Sequence, residues 1–237
     1  MSFIRPSEFE HIFKLDNVIC RAKSFSVENY DPMLFSYYQV NQPDEIKRSV
    51  NKRQAEFLAG RLCAISAIHE IDSSVLDIPI GHNRSPIFPK HIVASITHSE
   101  GIALCMAARK SKVELLGVDI EKIIPKKTAR EIESSIINLK EKQLLNGLEL
   151  DFETALTLVF SAKESLFKAL HPYVQKYFDF SAARLNQLCL KTRTFEFILT
   201  QDLHHQFNCF DSINGQFAYN NDYVFTCTIK KASSLFL

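Results

Sequence analysis

Apolar residues recur at helical spacing in two long stretches of the chain. The first stretch begins at Asp44, just after Pro43, and its apolar positions lie mostly three, four or seven residues apart: Ile46, Val50, Phe57, Leu58, Leu62, Ile65 and Ile68. The second is DFETALTLVFSAKESLFKAL, residues 151–170, which precedes His171-Pro172. Both patterns predict helices, the first running to about residue 70. The proline predicts the end of the second helix, because the residue before a proline disfavours helical geometry.

Gly60 lies inside the first predicted helix. Glycine at an interior helical position costs roughly 1 kcal/mol relative to alanine. A close approach by backbone or ligand would explain it, and so would ordinary packing. Both explanations stay open from the sequence.

Shorter apolar runs predict strands. IVASIT and IALCMAA flank the polar HSEG and predict a β-hairpin, and ELLGVDIE predicts a third strand. From about residue 184 onward, further β-like runs follow: TFEFILT, HHQFNCF and DYVFTCTIKK. Residues 128–147 predict one or two helices, whereas residues 1–42 and the loop GHNRSPIFPKHI predict little regular structure beyond short strands. Helices that precede groups of strands predict an α+β fold.

Composition limits the classes of function. The 237 residues suffice for one large or two small domains, and a net charge of +1 gives no bulk attraction to nucleic acid or membrane. The six cysteines are spread singly, without a C-x-x-C pair, which is typical of reduced thiols in the cytosol. The N-terminal MSFIRPSEFEHIFKLDN has no apolar core of a signal peptide, and IALCMAA is too short to span a bilayer. We therefore expect a cytoplasmic monomer with no nucleic-acid partner.

Two acids occur in the otherwise apolar strand LLGVDIEKI. Because strand side chains alternate, Asp119 and Glu121 share one face, with Cα atoms about 6.5 Å apart. Carboxylates this close raise each other's pKa unless a positive charge lies between them, and Mg²⁺ favours such oxygen ligands. The alternative is a solvated face of an edge strand.

A third acid lies in the second predicted helix. Glu164 and Lys168 are four residues apart and share one helical face, within a largely apolar run. A helix so apolar is expected to be largely buried, and buried charges need partners. Glu164 would complete a metal site with the strand acids, and Lys168 would hold a phosphate. An ordinary surface ion pair is the alternative.

Basic residues are spread over three further segments. Arg53 and Arg61 are eight residues apart on the first helix and so project in similar directions. Arg84 lies in the proline-containing loop, and His98 follows Thr97 at the end of a strand. Solvated arginines and a turn histidine are the ordinary alternatives.

Together these segments resemble the 4′-phosphopantetheinyl transferases, specifically their siderophore-synthesis-like branch, which activates carrier domains of nonribosomal peptide synthetases. Four segments match in the family's order: RQAEFLAGR, NRSPIFP with SITHS, GVDIE, and FSAKESLFKAL. GVDIE alone is a weak signal. Its combination with F-S-A-K-E-S-x-x-K downstream is specific. The matching region covers residues 53–170.

The resemblance implies transfer of the 4′-phosphopantetheine arm of coenzyme A to a serine of an apo carrier protein, with release of adenosine 3′,5′-bisphosphate. It implies Mg²⁺ held by Asp119, Glu121 and Glu164, and phosphate contacts from Lys168. For binding coenzyme A it implies Arg53, Arg61, Arg84, Thr97 and His98. Mn²⁺ in place of Mg²⁺ stays open, as does the identity of the carrier.

A base must remove the proton of the carrier serine. The resemblance offers Glu164, directly or through a metal-bound water, and ranks Glu141 of NLKEKQLL as a second candidate. It also implies two similar α/β halves about a pseudo-twofold axis, with coenzyme A in the cleft. Residues 1–114 would then contact the nucleotide, and residues 115–237 would carry the metal-binding and catalytic motifs.

The chain departs from the family pattern in some places. It has no tryptophan, although the family often carries one in the proline-containing loop, where Phe88 stands here, and in the final motif. Thr97 replaces a serine but keeps the hydroxyl. A basic segment after GVDIE is expected to attract an acidic carrier, unless it is only a solvated face: Lys122, Lys126, Lys127 and Arg130.

Two rival classes of protein were weighed against the transferase. A catalytically inactive carrier-binding homologue remains the alternative function. A Mg²⁺-dependent nucleotide phosphohydrolase has no support, since the chain lacks the phosphate-binding loop G-x-x-x-x-G-K-[ST].

Overall fold

The computed structural model describes residues 2–81 and 85–232. These residues form two compact units, each with its own antiparallel sheet and long helix. The first unit comprises the residues up to Glu114 together with Ala232, and the second comprises Leu115–Lys231. The predicted α+β class is confirmed. Within the described ranges, no helix is both long and apolar enough to cross a bilayer.

The first unit contains a four-stranded sheet in the order β1-β2-β4-β3. Its strands are β1 (Ile4–Pro6), β2 (Val18–Phe25), β3 (Ile92–Ser99) and β4 (Ile102–Arg109). Its helices are α1 (Leu34–Tyr37), α2 (Asp44–Lys47) and α3 (Asn51–His69). The β3–β4 hairpin was predicted and is confirmed, with Gly101 in the left-handed region at φ +82 in its turn. The helix α3 packs against the sheet.

The first predicted helix is interrupted between α2 and α3, so its continuity was predicted wrongly. Val50 is extended, with φ −67 and ψ 153. Side chains satisfy backbone carbonyls at the break: the Ser49 hydroxyl donates to the Ile46 carbonyl, and the Gln54 amide donates to the carbonyls of Lys47 and Ser49. Apolar spacing carries across this break because both helices pack on the same core.

The second unit contains a five-stranded sheet in the order β5-β9-β8-β7-β6. Its strands are β5 (Val113–Lys122, in this unit from Leu115), β6 (Ala183–Cys189), β7 (Thr194–Leu199), β8 (Ser212–Tyr219) and β9 (Tyr223–Lys231). Its helices are α4 (Lys126–Ile136), α5 (Leu139–Asn146) and α6 (Phe152–Val174). The two helices within residues 128–147, and the strands β5, β7 and β9, confirm their predictions.

Two predictions in the second unit are wrong. The helix α6 does not end at His171-Pro172 but continues to Val174, where Gln175 in the left-handed region closes it through a bond to the His171 carbonyl. A proline near the end of a helix removes only one hydrogen bond of the final turn. The run HHQFNCF is a loop with a single bridge, because aspartate carboxylates hold its backbone N–H groups away from strand pairing. The strands β6 and β8 were not predicted.

Candidate functional site

The strand β5 carries the two acids of the GVDIE segment, and Gly117 lets α6 approach it closely. A Cβ atom added at Gly117 would meet the Ser165 carbonyl oxygen and lie 2.7 Å from the Ala169 backbone nitrogen. No side chain fits there. The glycine therefore brings the helix that carries Glu164 and Lys168 against the strand that carries Asp119.

Asp119 is buried, with 3% of its surface exposed, although β5 is an edge strand. Its Oδ1 accepts a hydrogen bond from Lys168 Nζ at 2.6 Å, and its Oδ2 accepts one from Ser161 Oγ at 2.8 Å. The solvated-face alternative does not hold for this residue. Lys168 is partly exposed, so its ammonium faces both the carboxylate and solvent.

Glu121 and Glu164 are partly buried, and the charges of Asp119 and Lys168 shift the pKa of both carboxylates. Burial first, and then the negative charges of Asp119 and Glu164, together raise the pKa of Glu121 to about 7 against the opposing charge of Lys168. Burial also raises the pKa of Glu164, with Asp119 adding to the shift and Lys168 opposing it. The structure thus joins Lys168 to Asp119, and the charges of these two residues shift the pKa of both Glu121 and Glu164. We call these four side chains the carboxylate cluster.

The donor chemistry of the carboxylate cluster fits a hard divalent cation. Three carboxylates repel one another, and Mg²⁺ binds such oxygens while it keeps several waters. In residues 2–81 and 85–232, no group of three His, Cys, Asp or Glu side chains has the arrangement of a metal site. In this structure the Lys168 ammonium supplies the positive charge next to Asp119.

Glu141 makes contacts of a different kind. It is 1% exposed, and its carboxylate completes the capping box of α5 by accepting from the Asn138 backbone N–H at 2.8 Å. It also accepts from the Leu185 backbone N–H and pairs with Lys163 Nζ at 2.8 Å. These contacts resemble a structural ion pair. The catalytic role of Glu141 stays a prediction.

Lys163 belongs to the final motif but points away from the carboxylate cluster. Its ammonium pairs with Glu141 and donates to the carbonyls of Ile136 and Phe180 at 2.8 and 3.2 Å. Burial lowers its pKa, and the negative charge of Glu141 opposes that shift. Lys163 therefore ties α6 to the end of α4 and to α5.

A cavity of about 250 Å³ lies in the first unit between α2, α3 and β3. Three predicted residues line it, namely Arg53, Arg61 and His98, together with Glu56 and Gly60. A Cβ atom at Gly60 would lie 3.1 Å from the Ile96 side chain, so the glycine serves close packing and also borders the cavity. We call this the basic cavity.

Arg61 is the least satisfied group of the basic cavity. The residue is 6% exposed, and burial lowers the pKa of its guanidinium to about 10. The guanidinium carbon lies 4.4 Å from the centre of the Phe57 ring. Its Nε has no hydrogen-bond partner within the described part of the chain. A buried N–H donor without an acceptor is costly.

Arg53, Glu56 and His98 contact one another at the wall of the basic cavity. Arg53 Nη1 lies 2.9 Å from His98 Nε2, and because arginine can only donate, Nε2 accepts. The Glu56 carboxylate lies 3.7 Å from Arg53 and 3.8 Å from His98 Nδ1. Sequence reasoning missed Glu56, although its place in RQAEFLAGR between two arginines was a usable signal.

One predicted residue that the structure describes is not brought to the basic cavity. Thr97 is 3% exposed and is absent from the cavity lining, because strand alternation turns it away from the face of its neighbours Ile96 and His98. Arg84 lies outside the described residues. The predicted carrier-attracting side chains are all exposed: Lys122, Lys126, Lys127 and Arg130.

Comparison with known proteins identifies relatives for both units. Residues 42–108 match the family model described as the 4′-phosphopantetheinyl transferase N-terminal domain, and residues 115–228 match that of the 4′-phosphopantetheinyl transferase superfamily.

Enterobactin synthase component D of Salmonella typhi is 43% identical over 127 residues, which cover 53% of this chain and 52% of that protein. The protein of the same name from Escherichia coli (strain K12) is 39% identical over 125 residues, covering 53% and 58%. 4′-Phosphopantetheinyl transferase Npt of Nocardia iowensis is 31% identical over 145 residues, covering 59% and 62%. The chain thus spans about half the length of the curated relatives it matches.

Proposed function

Because the chain belongs to the 4′-phosphopantetheinyl transferase superfamily, we propose that it transfers the 4′-phosphopantetheine arm of coenzyme A to a serine hydroxyl of an apo carrier protein. Adenosine 3′,5′-bisphosphate is the leaving product. The observation that most supports this activity is the carboxylate cluster, in which Asp119, Glu121 and Glu164 share one electrostatic environment with Lys168.

The basic cavity is proposed to hold the 3′-phosphate end of coenzyme A. A phosphate oxygen would accept hydrogen bonds from the guanidinium of Arg61, which lines the cavity. Arg53 and His98 border the same space and add a positive charge and a ring nitrogen. For Arg84 and Thr97, coenzyme A contacts are proposed from the sequence resemblance alone.

The carboxylate cluster is proposed to hold a divalent cation, Mg²⁺ before Mn²⁺, through Asp119, Glu121 and Glu164. When bound, such an ion would neutralise charge on the pyrophosphate. Lys168 now donates to Asp119 Oδ1. If Asp119 binds the cation instead, the Lys168 ammonium would be released. It would then donate to a phosphate oxygen as a mobile point charge.

Glu164 is proposed as the base. Its pKa is raised by burial, which brings the carboxylate closer to the value at which a base accepts a proton near neutral pH. The serine oxygen forms a bond to the β-phosphorus, the bond from that phosphorus to the bridging oxygen breaks, and the serine proton passes to Glu164. For Glu141 we propose a structural role in place of the predicted catalytic one, since its carboxylate is buried and paired with Lys163.

The carrier is proposed to be a peptidyl or aryl carrier domain of siderophore or other secondary-metabolite synthesis. This follows the names of the relatives and the branch that the motifs resemble. The exposed basic side chains from Lys122 to Arg130 would attract an acidic carrier surface. We further propose a cytoplasmic monomer, as the sequence predicts from its unpaired cysteines and composition.

The test is a mass measurement on purified proteins. Aryl, peptidyl and acyl carrier domains in their apo forms are each incubated with the chain, coenzyme A and Mg²⁺. At least one carrier should gain the mass of the phosphopantetheine arm, and EDTA should prevent this until Mg²⁺ is restored. No gain on any of the three would contradict the activity and favour the inactive carrier-binding homologue. Undiminished transfer in EDTA would contradict the metal site.

A further inference from the structure

Asp119 is held by a chain of two hydroxyl groups that neither the motifs nor the relatives assign. Ser161 Oγ donates to Asp119 Oδ2 at 2.8 Å and lies 2.9 Å from Thr226 Oγ1. Both hydroxyl residues are fully buried. An ionised carboxylate can only accept, so the single hydroxyl proton of Ser161 points to Asp119. Thr226 must then donate to Ser161, and the chain runs Thr226 to Ser161 to Asp119.

Each member of this chain lies on a different regular element. Asp119 is on β5, Ser161 on α6 and Thr226 on β9, the strand next to β5 in the sheet. The close approach at Gly117 fixes the separation of α6 from β5. Side chains mounted on packed helices and strands hold a ligand orientation better than side chains on loops.

We propose that Ser161 and Thr226 are positioning residues, which hold the Asp119 carboxylate so that Oδ1 is presented for a divalent cation. This inference rests on the proposed function of the carboxylate cluster. With Oδ2 engaged by Ser161, the carboxylate cannot rotate freely, and Oδ1 is the oxygen left for Lys168 or a cation. Removing a hydrogen bond that orients a metal-binding side chain typically lowers metal affinity by 10–100-fold.

The same helix and strand provide a matched control. One helical turn further on, Ser165 Oγ lies 2.9 Å from Thr228 Oγ1, and both residues are fully buried. Ser165 donates to the Ala162 carbonyl at 2.9 Å instead of to a carboxylate. The two pairs therefore share chemistry, burial and supporting elements, and they differ in whether they hold Asp119.

The experiment measures binding of Mn²⁺ to the purified full chain with coenzyme A present, by the electron paramagnetic resonance signal of free Mn²⁺. Ser161→Ala should weaken Mn²⁺ binding by about 10–100-fold. Thr226→Val should weaken Mn²⁺ binding less, because the Ser161 hydroxyl still donates to Asp119. Thr226→Ser keeps the hydroxyl and should restore the Mn²⁺ affinity lost in Thr226→Val. The controls Ser165→Ala and Thr228→Val should leave the affinity within about twofold of wild type, even where they lower the melting temperature as much.

A second readout separates positioning from general loss of structure. In carrier modification, Ser161→Ala should raise the Mg²⁺ concentration needed for half-maximal rate, and saturating Mg²⁺ should restore much of kcat. Wild-type Mn²⁺ affinity in Ser161→Ala, or an equal loss in Ser165→Ala, would overturn the proposal. So would failure of the wild-type chain to bind Mn²⁺.

The outcomes also separate this inference from the proposed activity. If the wild-type chain modifies carriers while Ser161→Ala binds Mn²⁺ normally, the positioning role fails and the transferase stands. If no carrier is modified but Ser161→Ala alone weakens Mn²⁺ binding relative to Ser165→Ala, the positioning role stands and the transferase fails.

Discussion

In the first unit α3 lies against β3 at Gly60, and in the second unit α6 lies against β5 at Gly117. The two contacts differ in what the glycine faces. At Gly60 the neighbour is a side-chain methyl of Ile96, at 3.1 Å from an added Cβ, whereas at Gly117 the neighbours include backbone atoms of Ser165 and Ala169. The first contact leaves room for a cavity, and the second leaves none for a side chain. The second site is therefore the more rigidly built.

The two sites also differ in how their charges are satisfied. The basic cavity is lined by two arginines and two glutamates, Glu45 and Glu56, and the buried Arg61 Nε has no partner in the described ranges. The carboxylate cluster is already neutralised in part by Lys168. A cation must therefore compete with an ammonium before it binds. The two sites therefore differ in that Arg61 keeps a donor that no described residue satisfies, whereas Asp119 already has an internal cationic partner.

The largest effect on stability is expected at the buried pair of the second unit. Removing one partner of a buried ion pair leaves an uncompensated charge and typically costs about 3–5 kcal/mol. Lys163→Met should therefore lower the free energy of unfolding by about that amount in urea titrations. Lys142→Met is the control, since its pair with Glu133 is partly exposed and should contribute less than about 1 kcal/mol.

Glu141→Gln, measured in the same titrations, tests the structural role of the acid itself. It should lower stability while the folded protein keeps most of its transfer rate per molecule. A stable Glu141→Gln protein without transfer activity would show instead that Glu141 is the base.

The glycine contacts give the next largest effect. Gly117→Ala places a Cβ against backbone atoms and should destabilise the protein by about 3 kcal/mol, at the upper end of overpacking effects. Gly60→Ala gains up to about 1 kcal/mol of helix propensity, which offsets the displacement of the Ile96 side chain. Urea titration of both variants measures the difference. Equal losses would refute the distinction between a backbone contact and a side-chain contact.

The basic cavity should discriminate coenzyme A from 3′-dephospho-coenzyme A through Arg61. A hydrogen bond to a charged group contributes about 1.5–3 kcal/mol, so Arg61→Met should weaken coenzyme A by tenfold or more in calorimetric titration. Binding of the 3′-dephospho form should change little. Arg48→Met, at an exposed arginine that does not line the cavity, is the control. Equal losses for the two ligands would remove Arg61 from the 3′-phosphate.

The smallest expected effect is the pH dependence of the carboxylate cluster. The folded-state pKa of Glu121 is about 7, above the usual value of 4.5, so the folded state binds more protons between these values. Its contribution to stability therefore falls as the pH rises from about 4.5 to 7. Without metal, the free energy of unfolding of Glu121→Gln should rise relative to that of wild type by about 1 kcal/mol across this window, after allowance for partial exposure.

Metal binding should show the opposite dependence, because a carboxylate binds a cation only when it is ionised. Below pH 7 the affinity of the wild-type chain for Mn²⁺ should fall by up to about tenfold per pH unit. An affinity that stays constant between pH 6 and pH 8 would show that Glu121 is not a ligand.

The sequence predicted the residues that carry charge in apolar surroundings, since such residues need partners and the patterns around them are strong. Arg53, Arg61 and His98 do line one cavity, and Lys168 does reach Asp119. The long helices and the β3–β4 hairpin were predicted from the spacing of their apolar residues. Apolar periodicity over many residues leaves few alternatives.

The missed features depend on contacts between distant residues. Ser161 meets Asp119 from 42 positions away, and it meets Thr226 from 65 positions away. The sequence does not reveal which residue a serine or threonine in a buried helix or strand will contact. Their recurrence at Ser161 and Ser165, four residues apart in the second predicted helix, was the one available signal. Two partners of Glu141, Leu185 and Lys163, were hidden for the same reason.

The central claim is that the carboxylate cluster drives transfer of the phosphopantetheine arm, and Asp119→Asn tests it most directly. The variant keeps the shape of the buried side chain but removes its charge. Glu114→Gln, at the other end of β5, is the control for losing an acid from the same strand.

With coenzyme A, Mg²⁺ and an apo carrier, intact mass spectrometry should show the arm added by wild type and by Glu114→Gln. Folded Asp119→Asn should show a rate lower by about a thousandfold, because metal-assisted charge stabilisation supplies several kcal/mol. A wild-type rate in Asp119→Asn would contradict the account.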